Sequence, residues 1–126
     1  MGTKVYAVNY DLRQFGRDYQ ALYGGIRRID ALACWAQGSL WFVSSSASAL
    51  TLTMFLRTLV DSNDTVFVTE ITENWFSSNL PDYAVGWLSA RKPNVLSMNE
   101  GQAWGFVARE LQATLPAARP GFLRLP

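Results

Sequence analysis

Residues Lys4 to Asn9, KVYAVN, constrain this chain more than any other run, because β-forming and apolar side chains fall on both sides of it. A strand apolar on both sides belongs at the centre of a sheet, with something packed against each face. Its neighbours must come from further along the chain, and 126 residues give room for one core but starve two. A content of 49% hydrophobic and 17% charged residues is that of an ordered globular protein, so such a core can form.

Other runs supply the neighbours. After Tyr10-Asp11, the polar stretch Asp11 to Arg17 with Gly16 reads as a loop, and Asp18 as the cap of a helix. Tyr19, Leu22, Tyr23, Ile26 and Ile29 then recur at helical spacing. Gly24-Gly25 within that helix costs roughly 1 kcal/mol per glycine against alanine, a cost that a close neighbour would justify. Leu32 to Trp35 and Ser39 to Ser44 are two short β-like runs joined by Ala36-Gln37-Gly38, a tight hairpin with glycine for positive φ. Ser45-Ser46 offer a cap before ALTLTMFLRTLV, where Leu50, Met54 and Leu59 mark the expected buried stripe. Asp61-Ser62-Asn63-Asp64 is a turn cluster, and Thr65 to Thr72 is the clearest strand, with Glu70 signalling a solvated side.

The order strand, helix, strand, strand, helix, strand predicts an α+β fold of the ferredoxin-like βαββαβ type: an antiparallel four-stranded sheet with two helices on one face. The other face is left uncovered, and dimerisation is the usual remedy for such a patch. Residues 1–90 are assigned to this domain and 91–126 to a C-terminal extension. Within the extension, Trp104, Val107, Leu111 and Leu115 predict a helix over about 100–115, followed by a Pro-rich tail. Between the two, 74–83 reads as a loop carrying Trp75 and Phe76, and 84–88 as a short strand or partner-facing segment.

Composition excludes several chemistries. The chain has no His, which removes Ser–His and Cys–His pairs, His-ligated zinc and His general bases. A single cysteine, Cys34, forms neither an internal disulfide nor a thiolate cage, and reads as a small buried residue on a strand. Eleven Lys+Arg against ten Asp+Glu leave a net charge of +1, so no global field advertises nucleic acid or an anionic membrane. The start, Met-Gly-Thr-Lys-Val-Tyr, leads into a strand pattern rather than an export signal, and no apolar run reaches membrane-spanning length. With a free thiol, the expected location is cytoplasmic and no membrane is expected as a partner.

Four features in order carry a family resemblance: a first strand ending in Tyr10-Asp11-Leu12, the Gly16-Arg17-Asp18-Tyr19 entry into a helix, a Trp35 hairpin with Leu40-Trp41-Phe42-Val43, and Asp61-Ser62-Asn63-Asp64 running into Val66-Phe67-Val68-Thr69. Over residues 4–75 the chain resembles the family of small ferredoxin-like proteins that includes the dimeric small subunit of the CRISPR adaptation complex, VapD-like ribonucleases and SinR-like proteins, and is nearest in style to the SinR-like branch. The resemblance implies a homodimer through the sheet faces. In nuclease members, paired aspartates hold a divalent metal that activates water against a phosphodiester; the one matching position here is Asp11. It would be both catalytic residue and metal ligand, with Mg²⁺ or Mn²⁺ shared across the dimer. No other acidic residue lies near it in the strand.

Each candidate also has a plainer reading. Asp11 at a strand end is more often a turn-capping residue. Arg13, Arg17, Arg27 and Arg28 are the candidate nucleic-acid contacts, or else an ordinary solvated helix face with Asp18 and Asp30 as local partners. Tyr10, Trp35, Trp41 and Phe42 read as core or dimer contacts at strand periodicity, with base stacking as the sharper alternative. Trp75, Phe76 and Trp87 are candidate partner anchors, unless the later part of the chain folds back and spends them on covering the sheet. The reading favoured is a non-catalytic homodimer that binds a protein or a nucleic acid, RNA or DNA, in a defence, toxin–antitoxin or phage–host setting. The alternative is a metal-dependent endonuclease using Asp11 from both protomers.

Overall fold

The computed structural model describes residues 2–13, 19–94 and 98–115. In chain order the elements are β1 (Lys4–Asp11), α1 (Gln20–Ile29), β2 (Cys34–Gln37), β3 (Leu40–Ser45), α2 (Ala49–Arg57), β4 (Thr65–Ile71), α3 (Asp82–Arg91) and α4 (Glu100–Thr114). The fold is α+β, with four strands in one open sheet ordered β2-β3-β1-β4 and every neighbouring pair antiparallel. The doubly apolar β1 is a central strand, paired with β3 (Val8 opposite Trp41) and with β4 (Val8 opposite Val68).

Strand alternation divides β1 between two cores. Tyr6, Val8 and Tyr10 point to one side and join Trp41 and Val43 of β3, Leu22 and Ile26 of α1, and Leu52 and Leu56 of α2. Val5 points to the other side, where Cys34, Ala36 and Phe42 meet Ala84 and Leu88 of α3. The 84–88 segment is therefore helical, neither strand nor free surface. α3 packs on the sheet face that the sequence reading left bare. Pro81 at its N-cap lacks only an N–H that the first turn leaves unbonded anyway, and Asp82 in that turn favours the helix dipole.

α2 shows the second departure. Its cap is Ser48, whose Oγ accepts from Thr51 N at 3.1 Å, rather than Ser45-Ser46. Leu52 and Leu56 are buried, whereas Leu50 is 71% and Met54 50% exposed. The helix is apolar nearly all round, so spacing alone offers two equivalent stripes, and the sheet selects one. Burying each selected leucine contributes roughly 1.5–3 kcal/mol.

The costly glycine pair is half explained. A Cβ at Gly25 would collide with the Leu59 side chain beyond α2, with Phe55 Cε2 3.6 Å away, while Gly24 faces open space. Gly25 thus lets α1 and the end of α2 approach closely. In the hairpin, Gly38 has φ +36° as the tight turn requires, and β2 is Cys34–Gln37, starting two residues later than expected. Asp18, the expected cap of α1, lies outside the described residues.

By its contacts the chain divides into two units, Met1–Val95 and Leu96–Pro126. The second contains α4, started by a capping box: Asn99 Oδ1 accepts from Gln102 N at 2.8 Å, and Gln102 Oε1 from Asn99 N at 3.1 Å. Among the described residues no helix is long and apolar enough to cross a membrane.

Candidate functional site

Asp11 is the last residue of β1, exposed and opposite Thr65 of β4. By alternation from Val5 it shares a face with Ala7 and Asn9, on the α3 side of the sheet. Among the described residues no three His, Cys, Asp or Glu side chains group to hold a metal ion, so within one chain Asp11 has no such set around it. The acidic turn beyond it is engaged with backbone. Asp64 Oδ1 accepts from Arg13 N and its Oδ2 from Asp61 N, both at 2.8 Å, which ties the exit of β1 to the entry of β4.

The described basic candidates lie on different elements. Arg13 follows the end of β1, whereas Arg27 and Arg28 lie in the last turn of a ten-residue helix, at the end of α1 that the β1 loop does not enter. That helix is about 15 Å long. Arg27 lies over the Trp41 ring at 5.2 Å and Arg28 over the Phe55 ring at 5.5 Å. Arg28 also lines a shallow groove between α1 and α2 with Ile29, Thr51, Leu52 and Phe55. Arg17 is outside the described residues. Asp30, offered as a local partner, accepts backbone N–H groups instead: Leu32 N on Oδ1 and Ser44 N on Oδ2, each at 2.9 Å.

Two of the three aromatic anchors serve the chain's own second core. Trp87 stacks on Phe42 with centroids 6.1 Å apart, donates from Nε1 to Leu32 O at 2.7 Å, and carries the Arg91 guanidinium 3.7 Å from its ring centre. Trp75 donates from Nε1 to Lys92 O at 2.7 Å, and its own carbonyl accepts from Asn94 Nδ2. Phe76 is 63% exposed.

Tyr10, Trp41 and Phe42 are buried, which removes them as stacking surfaces in this conformation. Tyr10, Tyr19, Tyr23 and Trp41 form a run of ring contacts 5.6–6.0 Å apart. Burial, then the neighbouring Tyr23 phenol, pushes the Tyr10 phenol up to about 12. Trp41 Nε1 is buried without a hydrogen-bond partner among the described residues. Burial likewise raises the Cys34 thiol, offset in part by the Arg91 charge.

What remains open on the sheet is a strip that the sequence reading did not single out. α3 packs by β2, and Asn9, Thr65, Phe67 and Thr69 stay exposed on the same face along β1 and β4. Phe67 sits opposite Asn9 and is 61% exposed. The signal was available: in TVFVTEI, Val66 and Val68 fix the core side, so Phe67 must point the other way. No family model matches the chain, and neither a curated protein nor a solved structure does.

Proposed function

We propose that this chain is a non-catalytic, homodimeric interaction protein of ferredoxin-like type that binds a protein or nucleic-acid partner. The ferredoxin-like reading is supported by the alternation β1-α1-β2-β3-α2-β4 and by β1 standing between β3 and β4 in an antiparallel sheet. The observation that carries the interaction reading is Phe67, a large aromatic left mostly in water on a sheet face beside Asn9. Aromatic side chains bury much area at small entropic cost, and one held rigidly on a strand is a ready contact for a second surface.

The deciding experiment joins light scattering of the purified protein to cleavage of labelled RNA and DNA with Mg²⁺ or Mn²⁺. The expected result is a species of about twice the 14.1 kDa chain mass with no cleavage. Cleavage that disappears in Asp11→Ala while the dimer persists would replace this reading with the shared-metal nuclease. A monomer at every concentration would overturn the homodimer reading itself.

A further inference from the structure

β4 is an outer strand of the sheet, seven residues long, and among the described residues its backbone bonds only with β1. Its outward N–H and C=O groups have no backbone partner among the described residues. Thr65–Ile71 contains no Pro, no Lys and no bulge, the devices that commonly stop an edge from pairing, and Glu70 is its one charge. We propose that β4 pairs antiparallel with β4 of a second copy of this chain, about a two-fold axis at Val68. The inference rests on the homodimer reading above and names its interface.

The register follows from what each residue would meet. With the axis at Val68, Thr65 faces Ile71, Val66 faces Glu70 and Phe67 faces Thr69 of the other copy, so all seven residues are opposed. Val66, Val68 and Glu70 lie on the helix side, because their β1 neighbours are Tyr10, Val8 and Tyr6 of the first core. α2 packs against β4 and is joined to it by the short 58–64 connection, so the two run in opposite directions. Arg57, at the end of α2, therefore stands over the start of β4, the end at which Val66 lies.

The two-fold reversal brings Glu70 of one copy to that end of the other, next to Arg57. Arg57 is on the correct flank of α2. Thr51 and Phe55 line the groove toward α1, and at about 100° per residue Arg57 falls on the opposite side, toward the free edge. Within one chain, neither Glu70 nor Arg57 has an ion-pair partner among the described residues; Arg57 Nη1 is 4.0 Å from Met54 Sδ. The paired edge thus acquires two Glu70–Arg57 contacts, one on each side of the axis. An axis at Glu70 would instead set the two carboxylates face to face.

On the other face, each Phe67 covers a Thr69 and reaches diagonally toward its symmetry mate at about 7–8 Å, within range for aromatic rings. This gives the exposed ring a neighbour without moving α3. The contact is isologous, so it closes at two chains.

Sedimentation velocity over a concentration series tests the interface. The unaltered protein is expected to dimerise, and Glu70→Arg or Arg57→Glu alone to weaken the dimer by about tenfold. The double reversal, Glu70→Arg with Arg57→Glu, is expected to restore it to within about threefold. Near-UV circular dichroism should show all variants folded, since both positions are exposed. A dimer indifferent to either single reversal, or singles that the double reversal does not rescue, overturns the β4 pairing and leaves the homodimer reading standing. A monomeric wild type overturns both.

Discussion

The sheet's two outer strands are finished in opposite ways. β2 is four residues long and irregular between Trp35 and Gln37. Tyr83 Oη on α3 donates to Trp35 O at 2.8 Å, and Trp87 Nε1 donates to Leu32 O just before the strand at 2.7 Å. β4 is seven residues long, and no side chain among the described residues reaches its backbone. An unpaired strand edge is a template for another strand, and proteins shorten, bend or cover edges to prevent pairing. Here all three measures are applied to β2 and none to β4. The aromatics of α3 act as guards: Trp87 packs its ring against the second core while that of Tyr83 stays exposed, and each uses its one polar atom on a main-chain carbonyl. Aromatic content near an edge is thus no sign of a partner surface when the polar handles point inward. The strand without such guards is where a partner is to be sought.

Removing the principal guard gives the largest expected effect. Trp87→Ala loses the bond to Leu32 O, the stack on Phe42 and the seat of Arg91 together. A half-buried tryptophan in that setting stabilises by about 3 kcal/mol, read as a lower urea midpoint. The variant should also associate through β2, giving species larger than the wild type in sedimentation. A midpoint within about 0.5 kcal/mol of wild type would break the comparison, because α3 would then guard nothing.

The β4 side has a fixing device at its entry rather than along its length. Asp64 holds the N–H groups of Arg13 and Asp61 with its two oxygens. Hydrogen bonds to an ionised acceptor contribute more than neutral ones, though exposure reduces them, so Asp64→Ala should cost about 1–2 kcal/mol. Asp64→Asn, which keeps one acceptor oxygen, should lose about half of that. Equal losses in both variants would mean that the charge, not the two-point tie, sets the entry of β4.

Much of this contrast was beyond reach in the sequence, for reasons that can be located. Both strands that flank the comparison were legible at their cores: TVFVTEI by its β-branched residues, and the hairpin by Gly38. α3 was missed because Ala84, Val85 and Trp87 in a short run fit a strand as well as a helix. The separating signals were Pro81-Asp82 at its start and Ala84 with Leu88 one turn apart. The phase of α2 was illegible because its apolar residues cover two faces, and only the sheet distinguishes Leu52 and Leu56 from Leu50 and Met54. Phe67 was legible from strand alternation alone. The guards were not: pairs 48 and 55 residues apart along the chain, Tyr83 with Trp35 and Trp87 with Leu32, meet only once α3 has packed on the sheet.

The smallest effect belongs to Tyr83, which is 59% exposed and gives one hydrogen bond to Trp35 O. Tyr83→Phe keeps the ring and removes that bond, a loss of about 0.7 kcal/mol, too small to stand out in a denaturation curve. Cys34 reports it better, since it is buried on β2 under the same helix. Burial raises its thiol above the ordinary value, against a smaller lowering by Arg91, so the folded state holds the proton to higher pH than the unfolded chain does. That contribution to stability is complete below the ordinary thiol range and is lost as pH rises through the folded value. At pH 8 the native thiol should therefore react with an alkylating reagent mainly through transient opening of α3. Tyr83→Phe should speed that labelling about threefold, the rate equivalent of 0.7 kcal/mol. Thr69→Lys, which adds a charge to the opposite, unguarded edge, should leave the labelling rate unchanged. A rate that responds to Thr69→Lys and not to Tyr83→Phe would invert the assignment, making β4 the edge whose opening exposes the core.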